Sequence, residues 1–597
     1  MRSRKELLYR AAQEAGNLWL CVARPRWRPD PGTPAKALPA VRGLPDARAS
    51  AAALKGTGYA AAVEHTAGGV LAHRFPLLGF TLETGKNISW RRDYVNNIET
   101  GRRYFRRIAY LDPRSAGDHK IIWELNRHQH WVLLAQAWLL TGRREFLDEI
   151  WSEFAAWTRQ NPYQRSINWT SALEVAFRAL SWLWVLHLAG DEMPDAARRP
   201  FIDGLYRHGL HIERNLSIYF SPNTHLLGEA VALHALGALV DGFPRRWAER
   251  GAALVEEALD RQVRPDGSHF EQSSYYHLYA LDMFLFHAIV AGAGERYRER
   301  LTRMAEYAAD LMGPRHRLPL LGDDDGGRFF HPFGARENFG RATMAACGAF
   351  LDRPDWLRDK ADLAELAAWW LGERALALKP APRERPSRLY QDAGVAVMAA
   401  GGAHVIVDAG PFGALTGGHS HSDALSLVAR AGDRDILIDP GTYTYAGDRF
   451  ERDRFRRSAA HNTVRIDGLD QAAPGGPFSW NGRPDVRILD WRTGPSEDVI
   501  EAECRYSGFT HRRKVRFRKP ELLEIEDWIG GPEGNHVVEQ FWHLADDKDA
   551  VQTSTPAVRI MSWRSRAYGQ REPALVLRVL RRGPLPITLS ARVLLRP

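Results

Sequence analysis

Cysteine is nearly missing from this 597-residue chain: three occur, at 21, 347 and 504. Thiols so few and so far apart build neither a disulfide framework nor a thiolate metal site. Long apolar runs are also lacking. The most apolar stretches, 179–190 and 279–294, are too short or contain Asp282 and His287, so no membrane span is expected. The basic start leads into a short apolar run, 18–23, and then into an Arg- and Pro-rich stretch, 24–35, with no small-residue cleavage site. No signal peptide is read. The cytoplasm is therefore the default location, with the periplasm or secretion left open. No fixed-period repeat is found, which argues against a regular solenoid. H-E-x-x-H is absent, and the acidic loop 322–328 lacks the spaced ligands and terminal Glu of an EF-hand. That loop is expected to be a turn with a salt-bridging Arg328.

The rest of the composition is that of a soluble globular protein, 45% hydrophobic and 26% charged, and the length implies two or three domains. The net charge of +9 favours polyanionic partners without separating nucleic acid from acidic polysaccharide. Twenty Trp and 18 Tyr serve first as core; some could stack on sugar rings.

Residues 1–80 are Ala-, Arg- and Pro-rich over most of their length and are expected to hold one helix, 4–16, and a loose connector. From about 120 to 375 the pattern is helical. Phe146, Ile150, Phe154 and Trp157 share a face, as do Leu173, Phe177, Leu180, Trp184 and Leu188. Gly, Pro or Asn separates successive stripes, which predicts antiparallel helical hairpins. The Pro-rich stretch 379–386 reads as a linker. Short β-rich runs follow, at 393–399, 403–409, 424–430, 435–439, 462–467, 511–518, 521–529, 537–543 and 575–581, which predicts an antiparallel sandwich or barrel. The expected fold is multidomain α+β: helical hairpins over 81–378, then β structure over 387–597.

Four groups of residues could carry chemistry. His419, Ser420, His421 and Asp423 are followed by Asp439 and by His461-Asn462-Thr463. Two imidazoles and a carboxylate make a sound Zn²⁺ set, at about even odds against polar loop histidines on spacing alone. In 266–277, Ser273 or Ser274 could cap a helix with Tyr276 and His277 in its first turn. The positive end of the helix dipole there would lower a tyrosine pKa and suit it to proton transfer. The competing reading is core packing. In 220–229, Asn223 or Thr224 caps the next helix, and Asn223 and His225 could bind a carboxylate. Polar residues within 123–127 and 167–178, among them Asn126, Arg127, Trp169, Glu174 and Arg178, either line an inner cavity and bind substrate or form structural pairs.

Together these segments resemble the heparinase II/III-type polysaccharide lyases, over about 85–580. The resemblance is most specific at GHSHSDALSL (418–427), IDPGTYTY (438–445) and HNTV (461–464). It is moderate at WELNRHQH, INWTSALEVAFRAL, SPNTHLLGEA and DGSHFEQSSYYH. It implies an incomplete α/α-toroid followed by an antiparallel β-sandwich, and β-elimination on a uronic-acid polysaccharide to leave a 4,5-unsaturated uronate. Tyr276 and His419 match the family's catalytic residues. His421, Asp439 and His461 match the ligands of a mainly structural zinc. The sequence departs from the family's adjacent Asn-His, so Asn223 and His225 are both carried over as carboxylate neutralisers. Two other readings stay open: a glycoside hydrolase using a pair among Glu124, Glu174, Glu229 and Glu271, or a non-catalytic exopolysaccharide-binding or biosynthesis factor. The expected partner is an acidic polysaccharide rather than nucleic acid; an oligomer is left open.

Overall fold

The structure is a computed structural model that describes residues 3–29, 37–330, 338–545 and 549–596. Its helical half is built in two layers. Gln129–Thr141, Ala172–Ala189, Thr224–Leu239 and Ser274–Ala291 are apolar nearly all round and pack on one another. Glu145–Gln160, Asp195–Asn215, Arg245–Gln262 and Glu295–Met312 each bury one stripe against that inner layer and turn a charged face outward. A helix buried on every side belongs inside and an amphipathic one outside, so hairpins alternating the two kinds close into an incomplete α/α-toroid. The stretch Ala172–Glu192 is long and apolar enough to cross a membrane, but 89% of its apolar window is buried in the protein.

The N-terminal segment holds more helix than its composition suggests. The first helix runs Arg4–Ala23 rather than 4–16, and two more, Ala47–Leu54 and Gly58–Leu71, pack on Gln129–Thr141. The Ala-rich weave hid them because alanine marks no apolar stripe. Part of the expected connector, 30–36, lies outside the described residues.

Two large antiparallel sheets dominate the second half, with a separate two-stranded ribbon of Ala473–Gly476 and Ser479–Asn481. One runs, by neighbour, Ala557–Arg564, Glu572–Pro584, Asn535–Leu544, Arg434–Leu437, Ser426–Ala431, Ala403–Asp408, Val395–Ala400 and Arg388–Tyr390, with Val464–Ile466 also on Asn535–Leu544. The other runs Asp485–Thr493, Glu497–Tyr506, Phe509–Arg518, Leu522–Gly530, Ile587–Leu594 and Val551–Thr553. Val405, Leu427, Val464 and Trp542 of the first meet Val515, Phe517, Ile525 and Val593 of the second in one core, which makes a β-sandwich. The strands at 485–493, 497–506, 557–564 and 587–594 are additions to the expected set; in 485–493 and 497–506 charged residues blur the alternation, whereas 587–594 alternates cleanly. The linker is pinned rather than loose. Arg385 pairs with Asp310 at 2.6 Å and Glu306 at 2.9 Å.

One buried cluster crosses the two sheets. Phe509–Arg518 turns His511 and Arg513 inward, where Asp527 accepts from His511 Nε2 and Arg513 Nε, both at 2.7 Å, and from Gln540 of the opposite sheet at 2.7 Å. Arg513 Nη1 also donates to the carbonyls of Leu425 and Asn462, and so holds two loops in place. Burial opposes the Asp527 charge, but Arg513 and His511 outweigh it and hold the carboxyl well below its usual range. A depressed folded pKa stabilises above the unfolded value near ~4 and that stabilisation is lost as pH falls towards the folded one. Asp527→Asn is expected to lower the unfolding free energy near neutral pH by about 3–5 kcal/mol, and to reduce the stability lost on acidification below about pH 4. Urea unfolding across pH measures both.

Candidate active site

Ser273 caps the helix Ser274–Ala291: its Oγ accepts from Tyr276 N–H at 3.1 Å and donates to the Asp323 carbonyl at 2.6 Å. Tyr276 therefore sits in the first turn, on the toroid side of the junction between the two halves. Its hydroxyl lies 3.1 Å from that of Tyr445 and 3.2 Å from Asp325 Oδ2. The His419 ring, from the sandwich side, stacks on the phenol at 3.7 Å between centroids and 21° between planes. The structure thus brings together the two residues that the sequence places 143 apart (419 − 276).

What aligns His419 is the acidic loop. Asp323 is fully buried and donates its own N–H to the His419 carbonyl at 2.9 Å. Its Oδ2 lies 3.1 Å from His419 Nδ1 and its Oδ1 3.0 Å from His421 Nε2. Arg452 clamps both oxygens, with Nη2 at 2.7 Å from Oδ2. Burial opposes the charge; Arg452 and the two imidazoles overcome it and keep Asp323 ionised. The expectation of a simple turn at 322–328 is corrected here. Arg328 does pair, with Glu365 at 3.0 Å, but the three aspartates are buried. With Asp323 accepting from Nδ1–H, the His419 lone pair is on Nε2, 3.7 Å from Glu271 Oε1.

Below the phenol, buried charges alternate. Asp325 Oδ2 is 3.1 Å from Lys120 Nζ, which is 3.0 Å from Glu124 Oε2; Arg127 takes Glu124 and, with two nitrogens at 2.7 and 2.9 Å, Glu174. Burial alone would raise Asp325; Lys120 and Arg127 outweigh it and hold it at about 2. For Tyr276 the outcome is opposite to the one expected at a helix N-terminus. Burial, then the charge of Asp325, pushes its hydroxyl well above 10. The dipole acts on atoms in the first turn, whereas the phenolic oxygen lies a side chain's length away beside a carboxylate.

Asn223 does cap the helix Thr224–Leu239: its Oδ1 accepts from His225 N–H at 3.1 Å, and its Nδ2 donates to Glu271 at 2.6 Å. One amide N–H is left over. His225 is only partly buried and feels His419, Glu174 and Asp325; burial, then His419, lowers it to about 4, so it is neutral at neutral pH. Three residues expected to bind substrate are placed otherwise. Asn126 is buried and bonds Trp90 O, Ile122 O and Trp157 Nε1. Trp169 is buried between Tyr163, His208 and Arg178. Arg127 is buried among Glu124, Glu174 and the Phe177 ring. In 123–127 and 167–178, Asn126, Arg127, Glu174 and Arg178 are buried and paired with protein groups, as buried polar side chains must be. The glutamates of a hydrolase are engaged as well. Glu124 and Glu174 face cations, Glu229 is buried on Ser217 and pushed up to about 8, and Glu271 is held by Asn223.

His421, Asp439 and His461 converge, all buried, with one potential ligand atom of each within 4.8 Å of the others. His461 Nδ1 is 2.8 Å from Asp439 Oδ2. His421 Nδ1 and His461 Nε2 are buried and make no hydrogen bond. Asp408 and Asp423 add two more carboxylates; burial, then Asp423, pushes Asp408 up to about 7. Next door, Asn462 ties three strands, donating to Leu427 O and Ile438 O and accepting from His543 N–H.

Lys120 and Arg452 were not singled out in the sequence; Asp323 and Asp325 were read only as part of the acidic loop 322–328, and Tyr445 only as the last residue of the motif 438–445. Arg452 lies on a helix, Arg449–Arg456, whose highly charged sequence reads as solvated; the Asp323 triplet was legible only as acidic composition.

Two family profiles cover most of the chain. Heparinase II/III N-terminus matches residues 46–328, and Heparinase II/III-like, C-terminal matches 382–591. The chain belongs to the heparinase II/III family. A heparin-sulfate lyase of Pedobacter heparinus is 22% identical over 476 residues, covering 73% of this chain and 64% of that protein. The chain thus spans less than two thirds of that relative's length. The crystal structure of a heparinase III matches with a TM-score of 0.66 at 16% identity, over 99% of this chain and 91% of that one. A chondroitin AC lyase of Streptomyces coelicolor A3 matches with a TM-score of 0.55 at 14% identity, over 92% and 82%. These structures share the fold. In this heparinase II/III chain, Asp323→Asn would release His419 and leave Arg452 buried without its partner. It is expected to lower the unfolding free energy by about 3–5 kcal/mol and the unfolding temperature with it, read by urea unfolding and thermal melting.

Proposed function

We propose that the protein is a polysaccharide lyase that cleaves a uronic-acid polysaccharide by β-elimination, leaving a 4,5-unsaturated uronate. One observation carries the reading: a phenol held in its protonated form is in ring contact with an imidazole whose orientation a buried carboxylate fixes. The names of the relatives, a heparin-sulfate lyase and a chondroitin AC lyase, support an acidic substrate.

The C5 proton of a uronate is weakly acidic because the neighbouring carboxylate already carries charge. Donors fixed beforehand against that carboxylate stabilise the enolate-like transition state. His225 and the free N–H of Asn223 take this role. His419 Nε2 accepts the C5 proton; burial and the Asp325 charge disfavour a phenolate at Tyr276. Tyr276, protonated as it stands, donates to the departing O4. The Asp325 charge raises the phenol's affinity for its proton, so the proton is retained until the leaving oxygen becomes the stronger base.

The cluster of His421, Asp439 and His461 fits zinc. Two buried ring nitrogens without partners and a carboxylate suit a divalent cation, and Asp408 and Asp423 add charge that a cation would neutralise. The ion would be structural and would fix the loop that carries His419.

Tyr276→Phe is expected to lower kcat by about 10²–10⁴-fold at unchanged circular dichroism, measured as absorbance of the unsaturated product on a panel of uronate polymers. Near wild-type turnover in that variant, or binding without turnover in the parent, would overturn the reading. Chelation should lower the unfolding temperature and the activity together; activity lost at an unchanged unfolding temperature would make the metal catalytic.

A further inference from the structure

A second group of ligand-type side chains meets away from the Tyr276–His419 pair, where the turn after the helix Gly58–Leu71 lies on the outer helix Glu145–Gln160. Glu149 and Glu153 are four residues apart on that helix and share a face. His73 comes from the turn, with its backbone held in the left-handed region at φ 55°, where non-glycine residues are uncommon. Its carbonyl accepts from Thr84 N–H at 3.1 Å, closing the stem of the hairpin formed by Arg74–Leu77 and Phe80–Glu83.

The three side chains present spare lone pairs to one another. One potential ligand atom of each lies within 4.8 Å of the others. Glu153 is only 3% exposed; its Oε2 accepts from Trp131 Nε1 at 2.6 Å and lies 2.8 Å from His130 Nε2, while Oε1 is buried with no hydrogen-bond partner. His73 Nδ1 is likewise buried without a partner and lies 3.7 Å from Glu149 Oε1. Burial and the charge of Glu153 push Glu149 up to about 7, against the pull of Lys86. A buried carboxylate oxygen left unpaired carries the full cost of its lost hydration. One buried carboxylate oxygen without a partner, beside a second acid whose carboxyl burial and the first acid push up, with an imidazole nitrogen next to both, calls for either a shared proton or a cation.

We propose that His73, Glu149 and Glu153 form a divalent-cation site distinct from the His421–Asp439–His461 cluster. One imidazole nitrogen and two carboxylates suit a first-row divalent ion such as Zn²⁺ or Mn²⁺. His73 and Glu149 are 16% and 19% exposed, which leaves an entry path and room for water ligands. With two ligands on a helix and the third at the stem of a hairpin, the ion braces one against the other. The hairpin's turn reaches the sandwich, where Gly79 N–H donates to the Tyr568 carbonyl at 2.9 Å. Tyr568 in turn accepts from Tyr445 N–H at 2.9 Å, beside the Tyr276 hydroxyl.

The test uses the full chain, stripped by chelation and re-equilibrated with Zn²⁺ alone or Mn²⁺ alone near neutral pH. Bound metal per chain is measured for the parent, His73→Ala and Glu149→Gln. Both side chains reach the surface, and Glu149→Gln removes charge at constant volume, so at least one variant keeps the parent's circular dichroism and is the one scored. That variant should hold one ion fewer than the parent with at least one of the two metals, and should lose that metal's increment in unfolding temperature. Equal metal content in parent and variant with both ions would overturn the proposal and leave a shared proton as the answer. Because the readout is a difference, it stands whether or not the zinc proposed for His421, Asp439 and His461 is bound.

Discussion

The carboxylate of Asp323 is the constraint on which the rest of the site depends. It belongs to the helical half, yet its side-chain partners His419, His421 and Arg452 all come from the sandwich. A buried ion pair gains little stability over well-packed apolar groups, but loss of one partner leaves an uncompensated charge and is costly. Its value is therefore positional. One carboxylate fixes the tautomer of His419, holds one ring nitrogen of His421 while leaving the other free, and sets the register between toroid and sandwich.

Much of the fold was legible because it rests on period and punctuation. Inner helices such as Thr224–Leu239 are apolar throughout and outer ones such as Arg245–Gln262 are striped, so the hairpin pattern could be read without contacts. The strand Phe509–Arg518 was legible too as the run 511–518; that Arg513 faces inward is explained by Asp527. Strands such as Asp485–Thr493 escaped because their alternation is carried by charged residues on an open face.

The site divides along the same line. Tyr276, His419 and the His421–Asp439–His461 set lie in ordered motifs, and the structure gathers each group. The residues that tune them are scattered and chemically ordinary in sequence: an aspartate in an acidic turn, an arginine in a charged helix, a lysine and two glutamates inside the toroid. Their roles depend on burial, which sequence composition masks when the residues are charged. Tyr276 shows how that matters. Reasoning from the helix dipole gives a lowered pKa, whereas the Asp325 charge and desolvation give a raised one, and burial decides the sign.

The split ownership of Asp323 also bears on how the chain assembles during folding. A sandwich that forms without the toroid exposes the Arg452 guanidinium and two imidazoles where a carboxylate belongs, and a toroid without the sandwich exposes the carboxylate. Neither half reaches full stability until the other docks. Docking of the two halves and assembly of the Tyr276–His419 contact are therefore one event, because the same carboxylate serves both.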